Sequence, residues 1–135
     1  MLPFHLVFKP GVSVHDQVVF AVKRACVTGR LEPGERFPSV RALSQELRIN
    51  PNTAHKAVAT LVGEGLLEVR PGTGTIVARA PAATKSQGRA ALREDIDHLV
   101  VEARTLSMSV DEVVDAVRDQ WRQLDRRTKV EERTR

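Results

Sequence analysis

Ser39 to Glu64, SVRALSQELRINPNTAHKAVATLVGE, constrains this chain more than any other stretch. Its apolar spacing and cap residues admit little besides two short amphipathic helices and a tight turn. Ser39 stands as N-cap of the first helix, where its side-chain oxygen can accept from an otherwise unpaired backbone N–H, and Val40, Leu43 and Leu47 form the apolar stripe. That helix is expected to end near Arg48. Asn50 caps the second helix, and Pro51 takes its first position, where a missing N–H is no loss and a fixed φ suits the helix start. Ala54, Ala57, Val58, Leu61 and Val62 then share one face, which turns Asn52, Thr53, His55, Lys56 and Thr60 outward. The pattern is that of a helix-turn-helix whose second helix shows polar side chains to a partner.

Gly65 stops the second helix, and Leu66, Leu67 and Val69 lead through Pro71-Gly-Thr-Gly74 into Thr75, Ile76, Val77 and Ala78. Glycines at the tip and alternating flanks predict a β-hairpin, a wing able to approach a phosphate backbone closely. Several separated motifs now stand in order: Leu31-Glu-Pro-Gly-Glu-Arg-Phe-Pro-Ser-Val-Arg-Ala-Leu-Ser44, Asn50-Pro-Asn-Thr53, Glu64-Gly-Leu-Leu67 and Gly72-Thr-Gly-Thr-Ile-Val-Ala78. From about Val14 to Ala78 the chain resembles the DNA-binding domain of the GntR family of bacterial transcription regulators.

Charge agrees with a polyanion partner. The net charge is +4, and all of the surplus lies in residues 1–80, which hold ten Lys/Arg against six Asp/Glu, whereas 81–135 hold eleven of each. Neutralising phosphates releases counterions and supplies much of the affinity for nucleic acid. The single cysteine, Cys26, excludes an intrachain disulfide and suits a reducing compartment; its place on an apolar helix face predicts a buried, inert thiol. No run approaches the roughly 18 apolar residues of a membrane span, and the N-terminus lacks a signal-peptide pattern, so the expected location is the cytoplasm, with no membrane partner.

Ahead of the motif, Phe4-His-Leu-Val-Phe8 alternates, so Phe4, Leu6 and Phe8 share one face of a strand or arm that packs on its own domain or across a dimer. A scaffold helix follows from about Val14 to Thr28, capped by Ser13, closed by Gly29 and striped by Val14, Val18, Ala21, Val22 and Ala25. Residues 1–80 are thus one winged helix-turn-helix domain with an arm.

Residues 81–88, PAATKSQG, are small and polar and predict a linker. Residues 89–127 then predict an antiparallel helical hairpin: Arg89 to about Leu106 with Leu92, Ile96, Leu99, Val100, Ala103 and Leu106, and a second helix begun by the capping box Ser109/Glu112 with Val110, Val113, Val114, Val117, Trp121 and Leu124. A lone hairpin leaves both stripes without cover, so Leu92, Ile96, Leu99, Val110, Val113, Val114, Val117, Trp121 and Leu124 are the expected dimerisation residues, in a bundle with a second copy. Residues 128–135 are charged, apolar-poor and expected to fray. The fold class is mainly α with a small β-wing.

So short a C-terminal region, with Pro38-Ser-Val-Arg41 and Asn50-Pro-Asn-Thr53, is similar to the YtrA subfamily. That resemblance implies a dimeric regulator, often a repressor, acting on ABC-type transporter genes. It also implies DNA contact by Arg41. Asn52, Thr53, His55 and Lys56 occupy the turns that enter a major groove, and Arg70, Gly72, Thr73 and Gly74 form the wing tip. Many family members carry an arginine where Pro51 stands, so here base reading shifts to Asn52, Thr53 or His55.

His5, His15, His55 and His98 have no second ligand at metal spacing, and no cofactor motif is present. Some related regulators, the MocR type, fuse such a domain to an aminotransferase-like one, but 135 residues leave no room for it, and the expectation is no enzyme. The other alternative, a winged helix for protein–protein contact, would place apolar or acidic residues on the second helix instead of Asn, Thr, His and Lys. Two helices beyond the linker offer no obvious enclosed pocket, so an effector, if there is one, is expected at the dimer interface, its identity unknown.

Overall fold

The computed structural model describes residues 2–79 and 85–134, with side chains up to residue 79 and from 86 to 125. The elements are α1 (Val14–Val27), α2 (Val40–Leu47), α3 (Pro51–Gly63), β1 (Leu67–Arg70), β2 (Gly74–Val77), α4 (Lys85–Thr105) and α5 (Val110–Thr134). The chain divides into two compact units, residues 1–80 with 131–135 and residues 81–130.

In the first unit, α1, α2 and α3 close one core. Val18, Val22, Leu43, Ala54, Ala57 and Leu61 are fully buried, with Leu31 and Leu67 beside them. Ser13 caps α1 through Asp16 N, as its sequence position predicts. Val14, expected on the apolar stripe, is instead exposed, and Val19 is buried in its stead, because the first turn of α1 extends past the core. Two polar ties join α1 to α3: His15 Nε2 lies 2.9 Å from Thr60 Oγ1, and Lys23 Nζ lies 2.9 Å from Glu64 Oε2. Cys26 is half-buried, and burial pushes its thiol pKa up, which keeps it protonated and unreactive near neutral pH.

The arm packs on its own domain. Phe4 is buried and stacks on Phe37 with ring centroids 6.2 Å apart, Leu2, Leu6 and Phe8 lie against the core, and Val7 faces out. It forms no strand; the alternation instead matches an extended segment held by Gln17, whose side chain bonds both Lys9 N and the carbonyls of Lys9 and Val12.

β1 and β2 pair antiparallel, with Leu67 opposite Val77 and Arg70 opposite Gly74. A third short segment, 35–37, joins the other edge of β2. Val77 N donates to Glu35 O at 2.8 Å and Phe37 N to Thr75 O at 2.9 Å, so Arg36 pairs with Ile76. Three residues between Gly34 and Pro38 are too few to show a strand's alternation in the sequence.

In the second unit α4 begins at Lys85, so Lys85 to Gly88, expected in the linker, are helical; the rest of that linker lies outside the described residues. α5 continues to Thr134, past the expected fraying point, because DRRTKVEERT contains strong helix formers and no Gly or Pro to break it. Ser109 caps α5 through Glu112 N, and Ser107, at φ 57°, turns the chain between the helices. The two helices do not cover each other's stripes: Ala103, beside the turn, is the one buried side chain of this unit among the described residues.

Candidate nucleic-acid interface

The candidate surface draws on three helix and hairpin ends of the first unit. Ser39 accepts from Ala42 N at 3.1 Å and so starts α2 where its stripe begins, which places Arg41 in the first turn with its side chain exposed. At the other end of α2, Ser44 is buried, and its carbonyl accepts from both Arg48 N and Ile49 N. Arg48 itself sits at φ 55°, ψ 49°, the left-handed cap that turns the chain tightly into α3.

Asn50 Oδ1 accepts from Asn52 N at 2.8 Å, and Pro51 takes the first helical position. The register of α3 follows. Ala54, Ala57, Val58 and Leu61 are buried, Asn52, His55 and Lys56 are exposed, and Thr53 is half-exposed. Thr60 does not join that outward set as expected: its hydroxyl donates to Lys56 O at 3.0 Å and its oxygen faces His15, so it serves the α1–α3 contact. Losing the cap is expected to destabilise the unit. Asn50→Ala removes a partner from the first turn of α3 and should cost about 1 kcal/mol. For a domain of this size that is a fall of roughly 4–8 °C in Tm, measured by thermal unfolding, with Asn50→Asp holding the wild-type value.

The helix starts differ in charge, and α4, like α2 and α3, has no acid in its first turn. Neither α2 nor α3 has an acidic residue in its first turn, whereas α1 has Asp16 and α5 has Asp111 and Glu112. Acids there ordinarily satisfy the positive end of the helix dipole. Their absence leaves the N-termini of α2 and α3 open to an external anion, with Arg41 and Lys56 close by in sequence.

The wing supplies the third element. Gly72 and Gly74 have φ of 77° and 96°, which side-chain-bearing residues rarely adopt, and Thr73 N closes the tip on Arg70 O at 3.1 Å. Arg70 is not free: its Nε donates to Glu68 Oε1 at 2.6 Å. The bond takes only Nε, so the terminal nitrogens of Arg70 stay available to a phosphate.

In the second unit, the expected dimerisation residues stay largely open to solvent. Leu92, Ile96, Leu99, Val110, Val114, Val117 and Trp121 are exposed, Trp121 at 71%, and Val113 and Leu124 are half-buried. A cleft of about 320 Å³ at the turn between α4 and α5, open to solvent, is lined by Val100, Ala103, Arg104, Met108, Ser109, Val110 and Val113. No group of acids, histidines and cysteines among the described residues could hold a metal ion, and no described helix is long and apolar enough to cross a membrane.

Comparison with known proteins places this geometry. Residues 15–77 match the model of the gntR family of bacterial regulatory proteins. The transcriptional repressor YtrA of Bacillus subtilis (strain 168) is 27% identical over 112 residues, which are 82% of this chain and 86% of that one. A transcriptional antiterminator from Listeria monocytogenes EGD-e has the same fold, with a TM-score of 0.78 at 22% identity over 90% of this chain and 92% of its own. A transcriptional regulator from Oenococcus oeni superposes with a TM-score of 0.59 at 25% identity, covering 86% of this chain and 97% of its own.

Proposed function

We propose that this chain, whose residues 15–77 match the gntR family of bacterial regulatory proteins, is a dimeric transcriptional repressor that reads an inverted-repeat operator in double-stranded DNA. One observation carries the DNA surface: Arg41, Asn52, His55 and Lys56 stand exposed on the early turns of α2 and α3, with no acid in either first turn. Thr53 completes that face, and the exposed wing residues Arg70, Gly72, Thr73 and Gly74 are the proposed contacts to the flanking DNA backbone.

The dimer reading rests on the open stripes of α4 and α5. Burying a large apolar side chain stabilises by roughly 1.5–3 kcal/mol, and a second copy of the same stripe is the simplest cover. Two-fold pairing sets two winged helices on half-sites of an inverted repeat. Repression fits the B. subtilis relative, a repressor. Transporter genes as the regulated set follow from the subfamily resemblance.

The test begins with a duplex that the protein selects from a random pool. Its affinity should fall by about 10³-fold or more between 50 and 200 mM salt, as expected for roughly six or more phosphate contacts. Arg41→Ala and Lys56→Ala should each weaken binding by about tenfold, in line with 1–3 kcal/mol per specific contact. An affinity indifferent to salt and to both substitutions would remove the proposed surface.

A further inference from the structure

The segment 35–37 carries more than a structural edge. Its pairing with β2 is of the non-hydrogen-bonded kind at Arg36 and Ile76, the flanking bonds being Val77 N to Glu35 O and Phe37 N to Thr75 O. Residues paired in this way point to the same face, and their side chains lie close. Ile76 is also opposite Glu68 on β1. Arg36, Ile76 and Glu68 therefore form one row across three strands, with Arg36 and Glu68 roughly 10 Å apart at the backbone. Arg70, two residues beyond Glu68 toward the tip, is on that same face. The opposite face belongs to the core, through Phe37, Leu67 and Val77.

The outer face of the wing thus presents two arginines flanking one acid. Glu68 is already engaged by Arg70 Nε. The guanidinium of Arg36 is exposed, and no acid pairs with it among the described residues. Ile76, only 4% exposed although it lies on the outer face, is where the stem of Arg36 would rest, leaving the charged end outermost. Three residues further on, Ser39 starts α2 and brings in Arg41. The segment runs antiparallel to β2, so it leads from the base of the wing toward its tip, the end taken to approach DNA.

We infer that the wing is a three-stranded phosphate-binding surface in which Arg36 makes a further contact to the DNA backbone, alongside Arg70, which Glu68 orients by holding Nε while its terminal nitrogens stay available. The inference rests on the DNA-binding reading above and extends it to a residue outside both the helix-turn-helix and the hairpin. Arg36 adds affinity at every sequence and no base preference, because a phosphate carries no sequence information.

The experiment compares Arg36→Met, Arg36→Lys and Arg41→Ala in the full chain, on the duplex selected from a random pool, by fluorescence anisotropy from 50 to 200 mM KCl. Met keeps a stem over Ile76 and loses the charge. The Met variant should unfold at the wild-type temperature, bind 3- to 10-fold more weakly near 100 mM, and lose about 0.9 from the slope of log K against log salt, the value of one phosphate contact. Lys should keep the slope. If the Met variant binds with wild-type slope and affinity, or Lys is impaired as much as Met, Arg36 is no phosphate contact. Arg41→Ala separates the two failures: if it still weakens binding the DNA surface stands without Arg36, and if neither position matters both readings fall. A Met variant that melts early and binds weakly with an unchanged slope would also overturn the inference, assigning Arg36 to packing alone.

Discussion

A chain cut after residue 80 should sediment as a monomer and bind an inverted-repeat duplex about 10² to 10⁴-fold more weakly than the full protein, the range over which linked sites exceed single ones. The winged helix has its own core, in which Leu43, Leu61 and Val22 are fully buried, so the shortened chain should keep its fold. What it gives up is the second half-site, delivered at high effective concentration by its partner. Two substitutions in the full chain make the same point without truncation. Val117→Asp sets a charge in the proposed seam, and Trp121→Ala removes the largest exposed apolar side chain of α5. Both should shift the monomer–dimer equilibrium and the operator affinity together while leaving the melting of the first unit in place. A shortened chain that stays dimeric in sedimentation and binds as the full chain does would move the dimer contact to the first unit.

Leu61→Ala should be the most damaging single change within the DNA-binding unit. Leu61 is fully buried at the end of α3 opposite the reading turns, among the side chains of the common core. Truncating a buried leucine costs about 2–5 kcal/mol, the spread reflecting how far the cavity can collapse. Small domains hold about 5–15 kcal/mol in all, so a large share of the stability would go. Chemical denaturation should show an earlier midpoint with little change in slope. Operator binding at 25 °C should persist where the folded fraction persists, since Leu61 touches nothing outside the core. Wild-type stability in this variant would mean that α3 is held mainly by its caps and polar ties.

The local features of the fold were legible in the sequence because their causes are local. Ser39, Asn50 and Pro51 specify where α2 and α3 begin through bonds spanning two or three residues. The wing was legible for the same reason, since its tip requires glycine at positive φ. Long-range pairing was not. The strand segment 35–37 lies about forty residues from its partner and is too short to show alternation between Gly34 and Pro38. Thr60 looked like part of the reading face because helical spacing alone puts it there; only the packing of α1 brings His15 onto it. The spacing of α4 and α5 disclosed two apolar stripes, but periodicity shows which side of a helix is apolar and says nothing of what covers it. For the proposed DNA-contact residues, the sequence offered residue types and turns; the structure adds their exposure.

The bond from Phe37 N to Thr75 O has a bearing on how such regulators can be recombined. It splices the wing to the chain two residues before the cap of α2, so the hairpin and the helix-turn-helix share one mechanical frame. Transplanting α3 alone, or the hairpin alone, from a relative with another operator would put donor side chains on a mount aligned by the recipient. The smallest transferable cassette is the run from Gly34 to Val77, the two residues joined by a bond at the base of the wing.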